Sequence, residues 1–244
     1  MWMLVAALAA APAVAEDAAP SYTHGSITTG HNLKWVRDSL EYATLTQQTY
    51  RVGGDAVRRA TRKARRKGPW VVVLDVDETV LDNSTYQLER AAYGVGFEPG
   101  SWYAWCERRA APAIPGVKGL LDDVRAGGGQ IVFITNRDEV TRTATRENLQ
   151  SEGLWADGDV LCLADEENEA YTKVARRAEV RAGTGACSIG KPAEVVAYFG
   201  DTITDFPAAD EEAVEWSAQF GHRYFILPNP LYGGWGRGVT RPLP

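Results

Sequence analysis

The sequence predicts an α/β protein built on a parallel sheet that helices cover on both faces. Three observations predict it. Short apolar runs such as Val71-Val72-Val73-Leu74 and Ile131-Val132-Phe133-Ile134 alternate with longer segments of helical periodicity. The runs are continuous rather than polar on alternate positions, as expected of strands buried on both sides. Three of them lead straight into polar groups: Asp75 and Asp77; Thr135, Asn136 and Arg137; and Asp201 with Asp205. Sites in open α/β sheets form just beyond the carboxyl ends of the strands.

Residues 1–15 are apolar and small and end Ala13-Val14-Ala15 before Glu16, a small-x-small cleavage pattern. The stretch is shorter than the roughly 20 apolar residues that a bilayer-spanning helix needs. It reads as a signal peptide, although no Lys or Arg precedes it and the first is Lys34. Residues 16–32 read as a flexible lead-in. Leu33, Val36, Leu40 and Ala43 recur at helical spacing, so a helix is expected over 33–50, ended by Gly53-Gly54. A second helix is expected over 55–67. Its basic run, Arg58 to Lys67, reads as a solvated face in a chain of net negative charge.

Gly68-Pro69 opens a strand over 70–75. Asp82-Asn83-Ser84 reads as the cap of a helix over 84–94. The stretch 96–118, with Phe97, Trp102, Tyr103 and Trp105, reads as irregular and aromatic. A helix over 116–126 ends at Gly127-Gly128-Gly129, before a strand over 130–135 and a helix to 152. A strand over 160–163, a helix over 168–181, and strands over 194–199 and 224–227 complete the pattern. There is no internal repeat.

The 244 residues suffice for one sizeable domain. Lys and Arg number 26 against 32 Asp and Glu, a net charge of −6. Such a field does not draw in anions, so a nucleic-acid polymer is not an expected partner. A small phosphate ester would have to be held by local cations and a metal. The spacing of Cys106, Cys162 and Cys187 fits no zinc site. An odd count permits one disulfide, for which Cys162–Cys187 is conceivable, and equally permits three thiols.

Parallel strands bring their carboxyl ends to one edge, where Asp75, Asp77, Thr135, Asp201 and Asp205 can converge with Lys173. A strand followed by an acidic turn is the plainer reading of Asp75 and Asp77 alone. The full set suits phosphoryl transfer, because a dianionic ester repels a carboxylate nucleophile and needs charge neutralisation. Asp75, Asp201 and the backbone carbonyl of residue 77 could hold Mg²⁺, which prefers a few carboxylates with waters and substrate oxygens. Thr135 and Lys173 could bind the remaining phosphoryl oxygens. Asp77 could give a proton to the leaving group and later take one from water.

The run from Asp75 to Ser84 resembles the first motif of the haloacid dehalogenase (HAD) superfamily. Its continuation Leu81-Asp82-Asn83-Ser84 resembles the class C acid phosphatases, which include bacterial outer-membrane nucleotidase-type enzymes. Ser101-Trp102 with Trp105, Ile114-Pro115-Gly116, Thr135-Asn136-Arg137 and Lys173 with Arg176 are similar to that family's further elements. So are Gly200-Asp201 with Asp205-Phe206, and the stretch from Leu227 to Trp235. The resemblance spans residues 35–236. It implies a HAD-like Rossmannoid three-layer fold with a central parallel sheet. It also implies one domain over 33–244, to which 33–67 and 84–118 contribute a small helical cap region.

By residue, the resemblance implies Asp75 as nucleophile and magnesium ligand, and Asp77 as general acid/base and carbonyl ligand. It implies Asp201 and Asp205 at the metal, and Thr135, Asn136 and Lys173 on the phosphate. Trp102 and Tyr232 would sandwich the leaving group's ring, because stacking accepts any base. Arg137 and Arg176 would steer the ester. The implied activity is that of a magnesium-dependent acid phosphatase acting on phosphate monoesters, nucleoside monophosphates first, through an aspartyl-phosphate. A non-catalytic storage-type relative and a phosphotransferase are the alternatives. Dehalogenation needs no metal, and the intact aspartate set argues against it.

The sequence departs from the family at the acidic stretch Asp165-Glu166-Glu167-Asn168-Glu169, expected to repel highly charged substrates. Residues 182–192 read as an insertion before the fourth strand. No lipid-attachment cysteine follows the leader, so an exported periplasmic or secreted protein without a stable membrane anchor is expected. The oligomeric state is not assigned.

Overall fold

The structure, a computed structural model, describes residues 30–64, 68–165, 167–208, 211–212 and 214–237. The expected signal peptide and most of the lead-in lie outside the described residues. Five parallel strands, β1 (Trp70–Leu74), β2 (Gln130–Asp138), β3 (Val160–Ala164), β4 (Glu194–Gly200) and β5 (Tyr224–Ile226), lie in the order β3-β2-β1-β4-β5. The chain steps outwards from β1 through β2 to β3, then returns to lay β4 on the other side of β1. That reversal opens a crevice between the carboxyl ends of β1 and β4, where such sheets bind ligands.

The alternation of side chains across the sheet divides the core in two. Val72, Leu74, Ile131, Phe133 and Phe199 join one cluster with the helices α2 (Leu40–Ala64) and α5 (Val117–Ala126). Val71, Val73, Val132, Ile134 and Tyr198 join the other, with Val180 of α7 (Lys173–Ala182). All five residues of β1 are buried, as its unbroken apolar run predicts. The result is the expected three-layer α/β arrangement.

Gly53-Gly54 does not end a helix. The helix breaks instead at Ser39, whose φ of −93° and ψ of 139° separate α1 (His31–Asp38) from α2, and α2 then runs through both glycines. The reason is close packing. A Cβ on Gly53 would stand 2.4 Å from Cζ of Phe199, so a bare backbone lets α2 lie directly on the sheet. The propensity cost of glycine in a helix, about 1 kcal/mol, is outweighed by that contact. Arg58, Arg59 and Arg62 are exposed, as a solvated face requires, and the structure describes no side chain over 63–67.

The stretch 96–118 is not irregular throughout, because Pro99–Glu107 form a helix, α4. Glu98 caps it, its carboxylate accepting from the amides of Gly100 at 2.8 Å and Ser101 at 2.7 Å, with Pro99 in the first turn. A carboxylate ahead of a proline is a helix-start signal that the aromatic composition masked. Of the two stretches expected to form a cap, 84–118 supplies cleft wall through Gln87 of α3 (Ser84–Ala92) and Trp102 and Tyr103 of α4. The stretch 33–67 divides. Arg37 of α1 bonds Ser84 and Thr85 of α3, while α2 belongs to the layer on the sheet.

The last long helix starts later than 168. Asn168 and Tyr171 are turn residues, and Thr172 caps α7 so that Lys173 falls in its first turn. Between β2 and β3 runs α6 (Arg142–Ser151). Cys162 and Cys187 form a disulfide with Cα atoms 4.9 Å apart, tying the stretch 182–192 to β3. Cys106 is a buried free thiol, and burial pushes it up to about 11. The bridge closes a loop across a sequence separation of 25 residues. Cys187→Ser is therefore expected to cost about 3 kcal/mol, read from denaturant unfolding with and without reductant. A variant as stable as the parent under oxidising conditions would contradict this. Among the described residues no helix is long and apolar enough to cross a membrane.

Candidate active site

β1 ends at Leu74, and the amide of Asp75 still pairs with the carbonyl of Phe199 at 3.0 Å. The chain then turns tightly, with Val80 and Leu81 both donating to the carbonyl of Val76. Glu78 sits in this turn at φ 55°, a left-handed conformation that a non-glycine residue rarely adopts. Asp75 and Asp77, two positions apart, share the carboxyl edge of the sheet.

Asp75, Asp201 and Asp205 each offer a carboxylate oxygen, and these oxygens lie within 4.8 Å of one another. Asp201 follows β4 directly. Asp205 reaches back because Gly200 leaves room: a Cβ there would lie 2.3 Å from Cβ of Asp205. Asp205 Oδ2 also accepts from the amide and hydroxyl of Thr202, fixing the return. Lys173 Nζ donates to Asp75 Oδ1 at 2.5 Å and to Asp205 Oδ1 at 2.6 Å. Asn229 Nδ2 donates to Asp201 Oδ2 at 2.7 Å.

This grouping is electrostatically costly. Burial pushes the Asp201 carboxyl up to about 7, aided by Asp205 and opposed by Asn229 and Lys173. Burial likewise holds Asp75 well above the usual carboxylate range, against Lys173, with Asp205, Asp201 and Asp77 adding to the rise. Three clustered carboxylates with, among the described residues, one ammonium bonded to them form an all-oxygen donor set that suits a hard divalent cation. The carboxylate of Asp77 is not in the cluster. It faces Arg137, with Nη2 at 2.8 Å from Oδ1. Any metal contact from residue 77 is thereby left to its carbonyl.

One cleft of about 670 Å³ is lined by nine of the ten residues expected at the site: Asp75, Asp77, Trp102, Asn136, Arg137, Lys173, Asp201, Asp205 and Tyr232. Thr135 is the exception. It is fully buried below the cleft, its hydroxyl 3.5 Å from Asp77 Oδ2 and accepting from the amide of Arg137 at 3.1 Å. Trp102 packs edge-on against Tyr86, and Tyr232 stands at the exposed rim. Asn136 Oδ1 accepts from Arg176 Nη2 at 2.8 Å, and Arg176 also donates to the carbonyl of Thr135. Arg176, expected to steer the ester, is instead buried, absent from the cleft lining and bonded behind the Thr135–Asn136 segment. Asp165 and Glu167 line another cavity beside the disulfide, whose lining shares Asp138 with that of the cleft.

Several contributors escaped the sequence reading as individual functional residues. Asn83, Trp105 and Thr145 bond around Arg137, and Asn229 bonds Asp201. Asn83 and Asn229 each lie in a motif-bearing loop, the one visible signal. Thr145 on α6 carries none.

A parallel sheet with this acidic, lysine-bearing crevice defines an α/β protein equipped to hold a cation and an oxyanion together. Its sequence matches the HAD superfamily, subfamily IIIB (acid phosphatase), over residues 10–235, and the chain belongs to that family. It is similar to the class C acid phosphatase of Bacillus anthracis solved with tungstate bound, at 31% identity and a TM-score of 0.72, covering 84% of each chain. It is also similar to acid phosphatase 1 of Solanum lycopersicum, 28% identical over 66% of this chain and 58% of that protein. Vegetative storage protein 1 of Arabidopsis thaliana is 25% identical over 66% of this chain and 54% of its own length. The match thus spans little more than half the length of these plant relatives.

Proposed function

We propose that this chain is a magnesium-dependent acid phosphatase that hydrolyses phosphate monoesters through an aspartyl-phosphate on Asp75. The observation that carries this reading is the approach of Asp75, Asp201, Asp205 and Lys173, with Asp77 held apart on Arg137, at one end of an aromatic-walled cleft. Tungstate, bound in the similar Bacillus anthracis structure, is an oxyanion of phosphate-like shape.

Asp75, Asp201, Asp205 and the carbonyl of residue 77 would hold Mg²⁺, whose charge offsets the repulsion between carboxylate and dianionic ester. Lys173 and Asn136 bind phosphoryl oxygens. Thr135 supports them from below. An Asp75 oxygen attacks phosphorus, and the ester P–O bond breaks with its electron pair passing to the leaving oxygen. Asp77 gives that oxygen its proton. Water then attacks the phosphorus of the aspartyl-phosphate and gives a proton to Asp77, and Asp75 is released with inorganic phosphate. Proton donation by a carboxyl is favoured at acid pH. The presence of Asp75, Asp77, Lys173 and Asp201 together favours this reading over the storage-type alternative.

Nucleoside monophosphates are the proposed substrates, with the base between Trp102 and Tyr232. Phosphate release from nucleotides, an aryl phosphate and glycerol phosphate, at pH about 5 to 6 with and without magnesium, tests both parts. Trp102→Ala is expected to lower kcat/KM for nucleotides by about 10- to 100-fold while changing glycerol phosphate about 2-fold or less. Equal losses on ringed and ringless esters would remove the clamp. No magnesium-dependent release by the parent protein would remove the activity. The proposed compartment is the periplasm or the exterior, since the Cys162–Cys187 bridge suits an oxidising environment. Recovery of the protein from the cytosol with both cysteines reduced would contradict it.

A further inference from the structure

Asp77 is gripped by side chains that take no part in the carboxylate cluster. Arg137 Nε donates to Oδ1 at 3.0 Å and to Oδ2 at 3.3 Å, and Arg137 Nη2 donates to Oδ1 at 2.8 Å. Asn83 Nδ2 adds a bond to Oδ1 at 2.8 Å. These two donors are themselves pinned. Arg137 Nη1 donates to Thr145 Oγ1 at 3.1 Å. Asn83 Oδ1 accepts from Trp105 Nε1 at 2.8 Å and from Arg137 Nη2 at 3.3 Å, while the Asn83 amide donates to Glu78 Oε1 at 2.8 Å. Arg137, Asn83, Thr145 and Trp105 are all 2% exposed or less. The Arg137 guanidinium lies 5.4 Å from the ring centroid of Trp102.

A group that captures a phosphate must offer it free donors. All three nitrogens of Arg137 are engaged with protein acceptors, and the side chain is 1% exposed. Its fork is spent on a carboxylate, the geometry in which arginine confers orientation as well as charge. We propose that Arg137, braced by Asn83, Thr145 and Trp105, is a positioning residue for proton transfer by Asp77 and not a ligand of the ester. This inference rests on the phosphomonoesterase reading and goes beyond it in giving Arg137 a step.

The step is the first one. As Asp75 forms its bond to phosphorus, the ester P–O bond breaks and the leaving oxygen takes the proton from Asp77. A carboxyl without its brace rotates among rotamers, and misplacement by an ångström costs on the order of 100-fold in rate. That loss depends on the leaving group. An acidic phenol departs as its anion and gains little from the proton, whereas a weakly acidic one needs it. A merely structural role for Arg137 predicts no such dependence.

The test is kcat/KM for a series of aryl phosphates that share one ring and differ in phenol acidity. The proteins are the parent, Arg137→Gln, Arg137→Lys and Trp105→Phe, the last removing the donor behind Asn83. Arg137→Gln is expected to lose about 10-fold with the most acidic phenol and about 1,000-fold with the least acidic. Trp105→Phe is expected to steepen the series in the same direction by about 10-fold, and Arg137→Lys to recover part of the loss through one remaining donor. Uniform losses across the series overturn the proposal. So does a raised KM at unchanged kcat, which would make Arg137 a phosphate ligand. Should Arg137→Gln fail to fold, Trp105→Phe decides alone. If the parent protein releases no phosphate from any ester, the phosphomonoesterase reading itself fails. Parent turnover with uniform variant losses removes only the role of Arg137.

Discussion

Asp75→Asn is expected to abolish phosphate release, lowering kcat on the order of 10,000-fold or more, while leaving the fold intact. The two side chains have nearly the same shape, and the amide oxygen can still accept from Lys173. What disappears is the anionic nucleophile. Stability is expected to move the other way. Asp75 is 7% exposed, and burial holds its carboxyl well above the usual range. A group whose pKa is raised on folding favours the neutral form in the native state. Its ionisation therefore costs stability above the pKa it has in the unfolded chain. The amide removes that cost, and Lys173 keeps Asp205 at 2.6 Å. Metal-free Asp75→Asn should therefore melt at or above the parent temperature at neutral pH. Inactivity combined with a lower melting temperature would mean that folding, not chemistry, was lost.

Asp201→Asn is expected to weaken magnesium binding by 10-fold or more, and activity at limiting metal with it. The same residue predicts a pH signature. Its carboxyl, pushed up to about 7 in the folded protein from an ordinary 3.8, binds a proton over a range where the unfolded chain has released it. The folded state then holds more protons, so this group makes metal-free stability fall as pH rises from about 4 to about 7. A divalent cation needs the ionised form. Magnesium should therefore raise the melting temperature more at pH 7 than at pH 5, with proton release on binding. Melting curves in chelator and in magnesium across this range measure both effects, and Asp201→Asn should flatten them. A magnesium effect independent of pH would mean that the cation sits elsewhere. Asn229, which donates to Asp201, would then have no part in the metal site.

Much of this arrangement is legible in the sequence because two rules act locally. A run of four apolar residues that stops at Asp75 cannot continue into the core with a second carboxylate at Asp77. The strand end and the site are therefore one feature. The same holds where β4 stops at Gly200. Lys173 lies 98 residues from Asp75, and only the parallel topology brings them to 2.5 Å. The sequence supports that topology through alternating element types, but not the length of α7 or the cap at Thr172. Other features are tertiary. Gly53 reads as a breaker until Phe199 is seen against it. Glu98-Pro99 starts a helix that the surrounding aromatics obscure. Cys162 and Cys187 could be two thiols until the stretch after α7 is seen to fold back on β3. Arg137 is the instructive case. Its place just beyond the strand expected over 130–135 suggests substrate contact, although β2 itself runs on to Asp138. Its partners Asn83 and Thr145 come from other segments and can be assigned only when the packing is known.

The most direct test of the central claim is to identify where phosphate goes first. Rapid acid quench of the magnesium-loaded enzyme turning over a phosphate-labelled monoester, followed by peptide mapping, reads this out. Label on the peptide that carries Asp75, absent in Asp75→Asn, is the predicted result. Full turnover with no trapped label at any quench time, or label on another residue, would contradict the aspartyl-phosphate route.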